Sequence, residues 1–359
     1  MSDAVKRFDY QEILQWATSC LQKSGACDKI ASKVSFYLLE ADLLGFSTHG
    51  LIRLLNNCQW LEQGVSTHRG EPQVLTQRAA VANWDAEFLP GPYVMPKAIE
   101  AAVTMAKAAG TGTIVIRRSQ HIAALAAYLS IATEQGLVVS LMCSTPGQRA
   151  VAPFGSKEAV FSPNPFAVGV PSSGRPLLFD ISFSMTAAGK VRQARANGAK
   201  LPYPALITAD GDWSDDPSTF FASPASAIAP LGGEHLGYKG YGLTLFSEIW
   251  TMALGQYGRM QGHDDGDANV VWVQVIDPSA FGEQKAFITQ VDKLLQDCRQ
   301  AAPMQPGTTV RIPGEQALDK KQRQLSGGVE YSAATLKVLQ RCAEFTQLPL
   351  PPDKPETPC

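Results

Sequence analysis

The stretch Gly110-Thr111-Gly112-Thr113-Ile114-Val115-Ile116-Arg117-Arg118-Ser119-Gln120-His121-Ile122-Ala123-Ala124-Leu125 decides how the chain folds. Its centre, Thr113 to Ile116, is a β-branched run bounded by turn residues and reads as a strand. Ala-rich helical stretches flank it at about 96–109 and 121–135, and this alternation marks an α/β region. The glycines stand on the wrong side of the strand. A dinucleotide fingerprint, GxGxxG, follows a strand and opens a helix, whereas Gly110-Thr111-Gly112 follows a helix and precedes a strand. No GxxxxGKS/T, HExxH or GxSxG occurs either, which removes the main sequence support for a P-loop enzyme, a zincin or an α/β-hydrolase.

Outward from that stretch, short β-rich runs recur at Val74-Leu75-Thr76, Ala80-Val81-Ala82, Leu137 to Leu141, Phe166 to Val170 and Leu177 to Asp180. Before them the chain up to Gly64 reads as helical, around Ile13 to Ala17 and Val34 to Leu39. A third helix is expected to start at Ser47 or Thr48, where a hydroxyl can cap it. Beyond them Gly and Pro crowd 198–242, which reads mostly as loop. A helix over 243–254, a strand at Val270 to Ile276 and helices near 283–300 and 332–346 follow. The expected organisation is a helical segment 1–75, a cofactor region 76–242, a segment 243–347 packing with the first, and a mobile Pro-rich tail 348–359.

With 31 Lys+Arg against 33 Asp+Glu in 359 residues, and no basic run, the chain is a poor match for nucleic acid. No stretch of about eighteen uncharged apolar residues suggests a membrane span. The opening Met1-Ser2-Asp3-Ala4-Val5-Lys6-Arg7 lacks the apolar core of a signal peptide. Seven scattered cysteines without a CxxC pair fit reduced thiols, hence a cytoplasmic protein, better than a disulfide framework or a zinc site.

The five histidines, at 49, 68, 121, 235 and 263, match no common metal spacing, and no metal is expected. His263-Asp264-Asp265-Gly266-Asp267 is acidic but lacks the EF-hand pattern, so a solvated loop is the plainer reading. His49 and Arg53 are four apart on one expected helix face. They could grip a carboxylate, with Arg53 as the bidentate fork, or be an N-terminal histidine and a surface arginine. His121 falls where a strand gives way to a helix. It could exchange a proton with a carbonyl or hydroxyl, or simply cap the helix. Glycines bracket Lys239 in Gly237-Tyr238-Lys239-Gly240-Tyr241-Gly242, which could admit an anion or form a plain turn.

Taken in order, these segments resemble the malate/L-lactate dehydrogenase family, nicotinamide-dependent enzymes unrelated to Rossmann lactate dehydrogenases. Ser47-Thr48-His49-Gly50-Leu51-Ile52-Arg53 is similar to its SHGxxR motif and Ser119-Gln120-His121 to its second histidine motif. Pro153-Phe154-Gly155 with Ser162-Pro163-Asn164-Pro165-Phe166-Ala167 resembles its GTNPxA block. Asp180-Ile181-Ser182-Phe183-Ser184 with Gly189-Lys190, Pro230-Leu231-Gly232-Gly233 with Lys239-Gly240-Tyr241-Gly242-Leu243, and Ile312-Pro313-Gly314-Glu315 complete the series.

The resemblance implies an α/β fold with a non-Rossmann cofactor domain inserted in a helical substrate domain, and a homodimer acting on a small carboxylate with NADH or NADPH. It implies that His121 is the proton donor or acceptor, assisted by His49 and Thr48. Arg53, Thr48 and His121 would bind the substrate. His49, His121, Thr145, Asn164, Asp180, Ser182, Ser184, Lys239 and Gly240 would face the cofactor. The family interconverts 2-oxo and 2-hydroxy acids, and some members reduce cyclic imino acids; a scaffold that has lost catalysis is the remaining alternative. Here Thr48 replaces the motif serine, Pro163 its threonine, Ser144 an Asn or Gln, and Asn57 a tyrosine found in some members. The wording Ser119 to Leu125 leans toward the imino-acid reductases.

Overall fold

Asn269-Val270-Val271-Trp272-Val273-Gln274-Val275-Ile276 is apolar almost throughout, the pattern of a strand covered on both faces. The computed structural model describes residues 6–262 and 266–354, and places this run in the middle of a seven-stranded sheet. In spatial order the sheet is β2 (Gln73–Gln77), β3 (Val81–Asp85), β4 (Thr111–Ser119), β11 (Asn269–Ile276), β5 (Val138–Ser144), β6 (Pro165–Val170) and β7 (Leu177–Ser182). Only β3 and β4 pair in parallel, joined by α4 (Gly91–Ala109); every other neighbour is antiparallel. The result is a mixed α/β fold.

One face of the sheet is covered by α4, which shares a continuous apolar core with α1 (Tyr10–Lys23), α2 (Asp28–Leu43), α3 (Leu54–Glu62) and α10 (Ala333–Thr346). Val115, Met142 and Trp272 form a smaller cluster on the other face, against which α7 (Gly233–Glu248) and its π-helical continuation Ile249–Ala253 pack. The chain's two ends meet where β1 (Lys6–Phe8) pairs with β12 (Val329–Tyr331).

Several expected elements differ. The third helix does not start at Ser47 or Thr48: a 3-10 turn, Leu51–Arg53, leads into α3. The cause is Asp42, whose Oδ2 accepts the Leu51 N–H at 2.8 Å and the Tyr331 hydroxyl at 3.1 Å, capping the turn from the end of α2. A Cβ on Gly50 would lie 1.9 Å from Asp42 Oδ1, so this close approach requires the glycine. Residues 121–135 are not one helix but an extended loop, a 3-10 turn (Leu125–Tyr128) and the single turn α5 (Ser130–Thr133). Asp180 sets that start by accepting the Ala126 N–H at 2.9 Å.

Around the stretch read as loop, α6 (Ala188–Ala196) leads into a small sheet of β8 (Leu206–Ile207), β9 (Trp213–Ser214) and β10 (Ala227–Ile228). The stretch then ends inside α7, so the boundary drawn at 242 cuts a helix. Likewise β11, placed by the sequence in the C-terminal segment, is central to the sheet. Helix α8 (Gln284–Gln300) matches its expectation, whereas α9 (Glu315–Gly327) was not expected because its sequence carries almost no apolar stripe. Residues 348–354 are tied down rather than loose, with Trp16 Nε1 donating to Leu348 O at 3.2 Å and Lys354 N to Arg7 O at 2.8 Å.

Asp42 has a consequence for stability. Burial pushes its carboxyl up to about 7, against the opposing Leu51 and Tyr331 hydrogen bonds and the Lys320 charge. In the unfolded chain it titrates near about 3.9. Its contribution to stability is therefore complete below that value and is lost as pH rises through about 7. Asp42→Asn can still accept both bonds through its amide oxygen. The variant is expected to remove this decline from a plot of Tm against pH, and an unchanged slope would show that Asp42 is already ionised in the fold.

Candidate active site

Two turns bring the chemistry together. The α2–α3 connection carries Thr48, His49 and Arg53, and the segment after β4 carries His121. The His49 and His121 rings stack at 5.6 Å between centroids with planes 16° apart. Thr48 Oγ1 lies 2.8 Å from His49 Nδ1, so the hydroxyl orients the ring rather than capping a helix. The His121 segment is held in a strained backbone, with Arg118 at φ 53° and Ala123 at φ 58°. Asp85 fixes its approach by receiving Arg117 Nε and Arg118 Nε at 2.8 Å each. On the other side Ile122 N donates to Asn269 Oδ1 at 3.0 Å.

Electrostatics disfavour the charged form of both rings. Burial, reinforced by the Arg53 charge, pushes His49 down to about 4. Burial does the same to His121, with Arg53 and His49 adding to it, and holds it well below the ordinary histidine range. Ala123 N–H donates to His121 Nδ1 at 3.2 Å, so the neutral ring carries its proton on Nε2. Burial also lowers Arg53, opposed by Asp267, whose Oδ2 stands 3.7 Å from Arg53 Nη1, and augmented by the positive Arg192. A guanidinium with two imidazoles and a hydroxyl can chemically receive a carboxylate with a polar group next to it.

The model of the malate/L-lactate dehydrogenase family matches residues 8–340. The chain belongs to that family. As a malate/L-lactate dehydrogenase family protein it is an oxidoreductase. It is 28% identical to a Δ1-pyrroline-2-carboxylate reductase from Ancylobacter novellus, over 94% of this chain and 98% of that one. It is 27% identical to an L-sulfolactate dehydrogenase from Methanocaldococcus jannaschii, over 82% and 84% of the two chains. Its fold is similar to that of a malate dehydrogenase from Entamoeba histolytica, with a TM-score of 0.90, 22% identity, and 97% and 100% coverage.

Within this family fold, the remaining expected residues take varied positions. Thr145, at the end of β5, accepts from Asn269 Nδ2 at 2.9 Å through Oγ1, which leaves its hydroxyl proton to donate. Asn164 is fully buried, receiving the Ser162 hydroxyl and donating to Glu248 Oε1 at 2.9 Å, so its side chain is engaged internally. Asp180, pushed up to about 6 by burial, holds the turn after His121 through the Ala126 N–H. Ser184 donates to the Thr186 carbonyl at 2.9 Å and sits 3.0 Å from the Ser182 hydroxyl. Lys239 and Gly240 lie inside α7, not before it; a Cβ on Gly240 would stand 2.4 Å from Leu231 O, a packing reason for that glycine. His263 to Asp265 lie outside the described residues.

Four residues that hold the candidate site's segments in this family protein are not singled out by the sequence: Asp42, Asp267, Asn269 and Glu248. Asn269 takes the Ile122 N–H and gives to Thr145 Oγ1 and, at 3.1 Å, to Asp267 O, joining three segments. Glu248 receives Asn164 and Arg259, the latter at 2.9 Å. All four act through contacts distant in sequence. Asp267 alone lay within a quoted motif, where it read as part of a solvated acidic loop.

Proposed function

We propose that this chain is a nicotinamide-dependent oxidoreductase that interconverts a small 2-oxo acid and its 2-hydroxy acid. The observation that carries the reading is Arg53 acting on two stacked histidines held toward their neutral forms, all three side chains partly buried. The donor set suits the cofactor: neutral imidazoles do not repel an oxidised nicotinamide, and Thr145 and Thr48 supply hydroxyls for a carboxamide. When bound, that ring supplies or takes the hydride. His121 exchanges the proton of the substrate oxygen at Nε2. In reduction the imidazolium gives it and is left as the Nδ1–H tautomer, and in oxidation that tautomer takes it. Both working forms therefore give up the contact of Nδ1 with Ala123 N–H seen in the free site. Arg53 grips the carboxylate, while His49 and Thr48 orient the reacting group. A carboxylate on Arg53 also cancels the charge that depresses His121, so binding itself prepares the acid.

Reduction of a cyclic 2-imino acid is the second reading, favoured by the near full-length similarity to a Δ1-pyrroline-2-carboxylate reductase. Following NADH and NADPH oxidation with pyruvate, oxaloacetate and Δ1-pyrroline-2-carboxylate separates the readings, and oxidation of neither cofactor with any of them would sink both. We also place the chain in the cytoplasm as a homodimer. The thiols of all six described cysteines are free, in keeping with a reducing compartment. On α7 and its continuation Leu236, Leu243, Phe246, Ile249, Trp250 and Leu254 are exposed together, an apolar face suited to a second copy. Sedimentation at the monomer mass would remove the dimer from this reading.

A further inference from the structure

We propose that Asp267 restricts the site to substrates carrying one carboxylate and no second anionic group. This rests on the reading of Arg53 as the carboxylate anchor. Asp267 is built into the site. One carboxylate oxygen faces Arg53 Nη1 at 3.7 Å, the other receives the Gln148 amide, and the backbone carbonyl is held by Asn269, which also holds the His121 segment. Its charge is therefore fixed relative to the reacting centre rather than free to swing into solvent.

The charges acting on Arg53 then decide what can bind. Arg192 adds a second positive charge and Asp267 subtracts one, while His49 and His121 are held toward their neutral forms, which leaves one positive charge unmatched. A 2-oxo monocarboxylate matches it; a cyclic 2-imino acid offers the guanidinium the same single carboxylate, and its protonated ring nitrogen brings a positive rather than a second negative charge. A 2-oxo dicarboxylate or a sulfonated 2-oxo acid is a dianion. It would bring a surplus negative charge beside the Asp267 carboxylate in a half-buried pocket, where like charges are weakly screened.

Oxamate and oxalate test this directly, because they have the same shape and differ by one charge. Their inhibition constants would be measured against the carboxylate substrate in the wild type, Asp267→Asn and Asp267→Glu, with Tm confirming that each variant is folded. The wild type is expected to favour oxamate by about tenfold or more, Asp267→Asn to shift that ratio toward oxalate by about tenfold, and Asp267→Glu to retain it. A wild type that binds oxalate as tightly as oxamate overturns the proposal, as does a ratio unchanged within about twofold in folded Asp267→Asn. If Asp267→Asn does not fold, Asp267→Ser, which also removes the charge, takes its place, and an unchanged ratio in it overturns the proposal. Failure of the wild type to oxidise NADH or NADPH with any carboxylate, or to bind either inhibitor, overturns the anchoring role of Arg53 instead.

Discussion

His121→Ala is expected to lower turnover by about 10²- to 10⁴-fold, the usual worth of a positioned acid or base, while cofactor binding stays measurable by nicotinamide fluorescence. The ring's structural ties are slight: the Ala123 N–H contact and the stack on His49. The loss should therefore fall on kcat more than on Tm. The two directions of reaction should respond oppositely to pH. Reduction needs the imidazolium, and because His121 is held well below its ordinary range in the free enzyme, kcat/KM for reduction should already be declining below about pH 6.5. Oxidation needs the neutral ring and should hold into the acid range. Turnover of His121→Ala within tenfold of the wild type would take this residue out of the mechanism.

Arg53→Ala is expected to reduce kcat/KM for the carboxylate substrate by roughly 30- to several-thousand-fold, the range for removing one partner of a buried charged pair, about 2–5 kcal/mol. A second effect follows from the same charge. Arg53 is one cause of the depression of both His49 and His121, so removing it should move the pH limb for reduction upward toward the ordinary histidine value. An arginine that served only as packing would move Tm and leave that limb in place. Arg53→Lys tests the fork geometry: it keeps the charge and therefore the limb, but loses the bidentate grip and should raise KM.

The parts of this molecule that depend on local pattern could be read from the sequence. Apolar runs gave strands at Val270 to Ile276 and Phe166 to Val170, and the Thr48-His49…Arg53 and His121 segments stood out by residue type. What could not be read depends on partners far along the chain. Nothing near Leu51 says that Asp42 will cap it with Tyr331, and nothing near His121 says that Asn269 will hold its neighbour. Gly240 looked like part of a turn because its reason, close approach of the Leu231 backbone, cannot be seen in the local pattern. Helix α9 stayed hidden because Gln324 is its only deeply buried residue, and that side chain works by donating to the Asp42 and Leu43 carbonyls at 3.0 Å each.

The placement of β11 bears on the order in which the molecule can be assembled. It lies between β4, which leads to His121, and β5, which leads to Thr145, yet it comes more than a hundred residues later than either. During synthesis the two halves of the sheet have no common partner until Ile276 has emerged. Their closure is a long-range event of the kind that slows folding and leaves strand edges exposed in the interim. Asn269 opens that same strand, so the polar link between the two site segments forms in the step that closes the sheet. A nascent chain stopped before β11 would carry His49, Arg53 and His121 and still lack a working centre.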